Sequence, residues 1–340
     1  MNAKTIVSQD AEVLSRALAW QAQGHRVHLF TVVQTWGSSP RLPGAILAVR
    51  DDGHLVGSVS GGCVEDDLAD KARANALPSS PSLIEYGVDK GDAQRFGIPC
   101  GGKLLIFAEQ LNDSSELESV LASLSQRELV CRSVKLGTGE VRLGAGNPGA
   151  TAWVEDGWFH NYFGPQWRLL VIGANQLGAM LAMYAQPLDF EVLICDPRED
   201  VRAEWRVEGV TWVEGMPDDV VLAIKPDPFT AIVAVTHDPK LDDMALLEAL
   251  KCDAFYVGAL GAMQNQAKRR DRMRMFDLSE AEIARLHGPV GLSIGSRTPA
   301  EIAISILAEI IRERTLQRQQ VAEHSNGNHA TLSMSTSCAI

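Results

Sequence analysis

Trp167-Arg168-Leu169-Leu170-Val171-Ile172-Gly173-Ala174-Asn175-Gln176-Leu177-Gly178 decides the fold of this 340-residue chain. An apolar run of strand length ends in a glycine turn and opens into a segment, 176–185, with the pattern of a helix. Strand, glycine turn and helix in that order begin a βαβ unit. The spacing is that of G-x-G-x-x-G, with Asn175 in place of the middle glycine. In a dinucleotide fold the first glycine makes the turn, the second lets the backbone approach a pyrophosphate, and the third lets helix and strand pack. Asn175 leaves the roles of Gly173 and Gly178 intact and puts the second role in doubt. Asp196 ends the next strand, 191–195, where a Rossmann acid takes a ribose hydroxyl. A scaffold that kept the packing and lost the ligand is the competing reading.

Downstream, strand patterns at 210–213, 229–235 and 254–258 alternate with helix patterns at 241–250 and 299–316. Apolar strands alternating with helices predict a parallel sheet covered on both faces, a Rossmann-like domain at 167–318. Thr236-His237-Asp238 follows the strand 229–235 at the sheet edge where ligands collect in open α/β folds. His237 is thus a candidate phosphate contact or acid/base, or a loop residue that caps the next helix. Thr298, Pro299 and Glu301 are the N-cap, first and third positions of the last long helix. Residues 319–340 are polar and small and read as a disordered tail.

Upstream, residues 1–110 predict an α+β domain. A helical face at 9–23 closes at Gly24, strands follow at 26–35, 45–50, 54–60, 83–88 and 103–109, and a helix lies at 64–77. Residues 111–166 read as a β-rich extension and connector, bounded by Gly164-Pro165. Within the first domain Gly61-Gly62-Cys63-Val64-Glu65 puts a thiol at a strand-to-helix junction. Unpaired N–H groups and the positive end of the helix dipole favour thiolate there. Cys63 is therefore a candidate nucleophile or soft metal ligand, and Glu65 a candidate to move a proton or orient the loop. Cys100, before Gly101-Gly102, repeats the glycine-flanked setting. The alternative for both cysteines is a small residue packed beside a tight turn. Neither belongs to a CxxC pair, which argues against a zinc site.

The net charge of −12 argues against general nucleic-acid binding. No apolar run approaches bilayer length, and Met1 to Asp10 lacks the pattern of a signal peptide, so a cytoplasmic protein is expected. The six cysteines, at 63, 100, 131, 195, 252 and 338, are scattered and expected as thiols, with Cys195 and Cys252 structural.

Gly37-Ser38-Ser39-Pro40-Arg41-Leu42-Pro43-Gly44-Ala45, the SGGCVE and CGGKL segments, Asp196-Pro197-Arg198, Thr236-His237-Asp238 and the run from Pro289 to Ile310 resemble the XdhC/CoxI family. These are accessory chaperones of molybdenum hydroxylases of the xanthine dehydrogenase type. The resemblance covers most of residues 10–316. It implies a protein that binds the molybdenum cofactor as transient cargo, either molybdopterin or molybdopterin cytosine dinucleotide. It further implies a cysteine desulfurase partner for sulfuration and delivery to the large subunit of an apo molybdenum hydroxylase; a homodimer burying apolar surface is the expected resting form. The SGGCVE form leans toward the branch serving aldehyde oxidoreductase or CO dehydrogenase type enzymes. Such cargo needs phosphate donors, polar groups for a pterin and soft donors near molybdenum. Ser38, Ser39, Arg41, Gly61, Gly62, Cys100, Gly173, Asn175, Gly178, Asp196 and His237 are the candidate binding residues, with Cys63 at the metal.

One departure stands out. Where the family usually has serine and arginine after Gly261, this chain has Ala262 and Met263. The expected phosphate contact is missing or has moved to Lys268, Arg269 or Arg270, though a solvated helix face is the preferred reading of that basic run. An NAD(P)-dependent oxidoreductase using Cys63, and a non-catalytic scaffold between desulfurase and apo-enzyme, are the alternatives.

Overall fold

Short, largely buried strands build the N-terminal part of the chain into two antiparallel sheets. The computed structural model describes residues 8–36, 41–87, 103–113, 115–146 and 152–326, with side chains described as far as 317. These divide into two compact units, Gln9–Pro165 and Gln166–Gln317.

In the first unit α1 (Gln9–Ala22) precedes β1 (Val27–Trp36), β2 (Ile46–Arg50) and β3 (Leu55–Gly57). Then come α2 (Cys63–Arg73), β4 (Ser82–Tyr86) and β5 (Lys103–Gln110). The five strands form one antiparallel sheet in the order β3-β2-β1-β5-β4. Successive strand residues face opposite sides. Val27 and Leu29 accordingly pack with Leu14 and Ala17 of α1, whereas Phe30 and Val32 pack with Val64 and Leu68 of α2. The helix α2 stops at Arg73, short of the expected 77, because Asn75 takes φ +52 and turns the chain away.

After α3 (Leu117–Ser125), a second antiparallel sheet of β6 (Val130–Lys135), β7 (Val141–Ala145), β8 (Ala152–Glu155) and β9 (Trp158–Phe163) runs in the order β7-β6-β9-β8. It packs on the first sheet through stacked Phe107 and Phe159 rings, 4.0 Å apart. A buried ion pair accompanies them. Arg132 donates to both carboxylate oxygens of Glu109, at 2.6 and 2.8 Å, and through Nε to the Ser115 carbonyl at 2.8 Å.

The second unit is a six-stranded sheet, all parallel, in the order β12-β11-β10-β13-β14-β15. Its elements are β10 (Trp167–Ile172), α4 (Gln176–Ala185), β11 (Phe190–Cys195), α5 (Glu199–Glu204), β12 (Thr211–Trp212) and α6 (Pro217–Ile224). There follow β13 (Thr230–Ala234), α7 (Pro239–Ala249), β14 (Tyr256–Ala259), α8 (Met263–Met275), α9 (Glu280–Ala284), β15 (Leu286–His287) and α10 (Pro299–Asn326). Every residue of β10 and β13 is buried. That explains the apolar runs Leu169–Ile172 and Ala231–Ala234 within them, since helices cover both faces. One face receives Leu177 and Leu181 of α4 with Ile306 and Ile310 of α10, the other Val220 of α6, Leu246 of α7 and Met273 of α8. Taken from β10, this strand order is the doubly wound 3-2-1-4-5-6, whose ligand crevice lies between the first and fourth strands.

The end of the last helix and the start of the expected tail both change. The last helix is capped as expected, Glu301 N–H donating to Thr298 Oγ1 and Thr298 N–H to Glu301 Oε2, but it runs past 316 to Asn326. Residues 317–323 are good helix formers apart from Val321, and the first glycine after the helix starts is Gly327. Residues 327–340 of the expected tail lie outside the described residues. Among the described residues no helix is long and apolar enough to cross a membrane.

Candidate functional site

Gly57 starts the site in the first unit. Its φ is +91, and a Cβ there would collide with the Ile46 carbonyl and lie 2.8 Å from Val13 Cγ2, so only glycine turns the chain out of β3 at this point. Ser58 to Gly62 then wrap around one carboxylate. Glu65 Oε1 accepts from Ser58 Oγ (2.8 Å) and from the N–H groups of Val59 (2.8 Å), Ser60 (2.8 Å) and Gly61 (3.0 Å). Its Oε2 accepts from Gly62 N–H (2.8 Å) and from Ser60 Oγ. Burial by itself would raise this carboxyl's pKa. The donors from Ser60, Gly61 and Ser58 outweigh it and hold the group at about 2. Glu65 is therefore an ionised clamp near neutral pH, and of the two roles expected for it the geometry supports loop orientation rather than proton transfer.

The consequence is a rigid platform for Cys63, the first residue of α2, which is exposed. Gly61 and Gly62 spend their N–H groups on Glu65 and offer none to a phosphate. Arg41 joins the platform, its Nε donating to the Ser58 carbonyl at 3.1 Å. Asp67, one turn along α2 from Cys63, accepts from Tyr86 Oη at 2.7 Å and pairs with Lys71 at 2.7 Å. This Asp67–Tyr86–Lys71 group was not legible in the sequence, because Tyr86 lies on β4 and nothing local marks it. Ser38, Ser39 and Cys100 lie outside the described residues. Among the described residues no group of three His, Cys, Asp or Glu is placed to hold a metal ion.

The second unit collects Gly173, Asn175, Gly178, Asp196 and His237 at the C-terminal edge of its sheet. Gly173 has φ +117, and a Cβ there would lie 2.9 Å from the Thr236 nitrogen; a Cβ on Gly178 would collide with the Gly173 carbonyl. Both keep the roles that the spacing predicts. Asn175 is the N-cap of α4, accepting from Gly178 N–H at 3.0 Å while its Nδ2 donates to the Val235 carbonyl at 2.5 Å. His237 is exposed, with φ +65, an uncommon conformation for a residue with a side chain.

Asp196 is differently placed from the expectation. Its side chain is 0 % exposed and is covered by Arg198, whose guanidinium donates to it at 2.8 and 2.6 Å, while Ala174 N–H donates from the glycine loop at 2.8 Å. Burial opposes ionisation, and the Arg198 and Ala174 donors overcome it, so the carboxyl sits below its ordinary range. The carboxylate presents no open face to a ribose.

The basic run is corrected too. Arg269 is buried rather than solvated, paired with Asp242 (3.2 Å) and Asp243 (2.9 Å) and donating to the Leu260 carbonyl (3.0 Å). Arg270 donates to the Leu286 carbonyl at 3.1 Å, which leaves Lys268 as the exposed member. Cys195 is buried and burial pushes its thiol up to about 12; Cys252 Sγ donates to the Ala249 carbonyl at 3.0 Å.

Two family models match the chain. The model described as the XdhC and CoxI family matches residues 20–87, and that of the XdhC Rossmann domain residues 169–310. The molybdenum cofactor insertion chaperone PaoD of Escherichia coli is 26% identical over 319 residues, spanning 90% of this chain and 89% of that protein. A Bacillus subtilis protein named as a probable xanthine dehydrogenase subunit is 25% identical over 320 residues, 84% of this chain and 92% of its own length. A crystal structure named as a xanthine dehydrogenase from Bacillus halodurans has the same fold, with TM-score 0.70 and 23% identity over 89% of this chain and 95% of that one. With both domain models matched in order on the two units described above, the chain belongs to the XdhC and CoxI family.

Proposed function

We propose that this protein is a molybdenum cofactor chaperone that holds the cofactor as cargo and passes it to an apo molybdenum hydroxylase. One observation carries the reading: an exposed thiol, Cys63, stands at the start of α2 on a loop locked by six hydrogen bonds to Glu65. A thiolate is a soft ligand suited to molybdenum, and a fixed loop presents it without ordering cost when cargo arrives. Arg41 beside it is a cation suited to phosphate. The relative named as a molybdenum cofactor insertion chaperone supports the same cargo.

The finer steps belong to the same proposal. Cys63 accepts sulfur from a cysteine desulfurase by thiolate attack on its persulfide: one S–S bond breaks, another forms, and the desulfurase thiolate leaves. The cargo is molybdopterin or its cytosine dinucleotide, the client is of the aldehyde oxidoreductase or CO dehydrogenase type, and a cytoplasmic homodimer is the resting form. The test is client enzyme produced beside Cys63→Ser, which removes the soft donor at almost no change in volume. The client should contain less sulfurated, active cofactor, and the chaperone should retain less molybdenum on purification. Unchanged client activity together with unchanged molybdenum retention would show that Cys63 is structural and sink the reading.

A further inference from the structure

The crevice of the second unit has the backbone of a dinucleotide site with its recognition groups turned inward. We infer that Arg198, together with Asn175, sets the ligand specificity of this crevice by excluding NAD and NADH. The inference rests on reading the crevice as a ligand site, and goes beyond the proposed function by saying what that site refuses.

A Rossmann acid at the end of the second strand recognises a ribose by accepting its hydroxyls, which requires open carboxylate lone pairs. Asp196 has none open. Oδ1 receives Arg198 N–H (3.2 Å) and Nε (2.8 Å), and Oδ2 receives Ala174 N–H (2.8 Å) and Arg198 Nη2 (2.6 Å). The carboxylate is 0 % exposed and the guanidinium 43 % exposed, so an entering ribose meets a donor where it needs an acceptor. Two parallel charge-assisted bonds hold that cover in place.

At the middle motif position the same thing happens. A bare glycine would let a pyrophosphate reach the helix N-terminus. Asn175 instead takes the Gly178 N–H with its own oxygen and ties its amide nitrogen to the Val235 carbonyl. The parts that shape the crevice without choosing the ligand are kept: Gly173 at φ +117 against Thr236, and Gly178 against the Gly173 carbonyl. Exclusion therefore resides in two side chains on an otherwise preserved scaffold, and substitution should reverse it.

The full-length protein, Arg198→Ala and Asn175→Gly/Arg198→Ala are titrated with NADH, following energy transfer from tryptophan to the nicotinamide and heat by calorimetry. Arg198→Ala should bind NADH at least about fivefold more tightly than the unsubstituted protein, and the double variant more tightly still. A gain below about fivefold in folded Arg198→Ala overturns the inference, whether because both proteins bind well or because neither binds. Asn175→Gly removes a helix cap, so Arg198→Ala alone carries the decision if the double variant does not fold. Should Arg198→Ala not fold, Arg198→Gln, which removes the guanidinium fork, is judged by the same criterion. The Cys63→Ser client assay reads a different unit and outcome, so failure of either claim leaves the other standing.

Discussion

Replacing Glu65 by Gln is the sharpest test of how the Cys63 loop is held, because it keeps the shape and removes the charge. A glutamine oxygen can replace Oε1 and its four donors, but the amide nitrogen then faces Gly62 N–H, donor against donor. A carboxyl held at about 2 rather than its ordinary 4.5 corresponds to roughly 3 kcal/mol of folded-state preference for the ionised form. An unsatisfied Gly62 N–H, at about 1–3 kcal/mol, together with four bonds weakened by loss of charge, reaches the same size from the contacts. Glu65→Gln should therefore destabilise the Gln9–Pro165 unit by about 3 kcal/mol near neutral pH, lowering its melting transition by roughly 6–12 °C.

The sign with pH follows from the depressed pKa. The stabilisation is complete above the unfolded value near 4.5 and is lost as pH falls through about 2. Denaturant unfolding of both proteins between pH 8 and pH 2 should show a constant gap down to about pH 5 that closes in acid. A gap under about 1 kcal/mol at pH 7, or one that does not shrink in acid, would refute the account of Glu65 as an ionised clamp.

Three further outcomes are expected. Gly178→Ala pushes a Cβ into the Gly173 carbonyl, so α4 must move off β10; a loss of about 3 kcal/mol or more, read as lost soluble expression or a lower melting temperature, is expected. Arg132→Met leaves Glu109 buried without its partner and should cost roughly 3–5 kcal/mol in denaturant unfolding. Adding Glu109→Leu should recover most of that loss, and a double variant as unstable as the single one would count against the desolvation argument.

Most of the architecture was legible in the sequence, because the signals that carry it are local. Short, mostly apolar and β-branched runs in Trp167–Ile172, Thr230–Ala234 and Val27–Val33 mark strands by composition and length alone. Thr298-Pro299 and the glycines at 173 and 178 mark helix starts by backbone chemistry, and Cys63 stands at a helix start for the same reason. The chemical state of the candidate sites was not legible in that way. Whether Asp196 faces a ligand depends on Arg198 lying over it and on an N–H of the glycine loop 22 residues away in sequence. Asn175 reaches the Val235 carbonyl across 60 residues, and Arg269 is buried because Asp242, 27 residues distant, comes to it on a neighbouring helix. Even Glu65, whose donors are all within seven residues, needed the turn at Gly57 before Ser58 to Gly62 could close around it. Periodicity determines which face of an element is apolar, since it is a property of one segment. Hydrogen-bond partners and burial of polar groups are properties of segments brought together, and only the tertiary structure decided them.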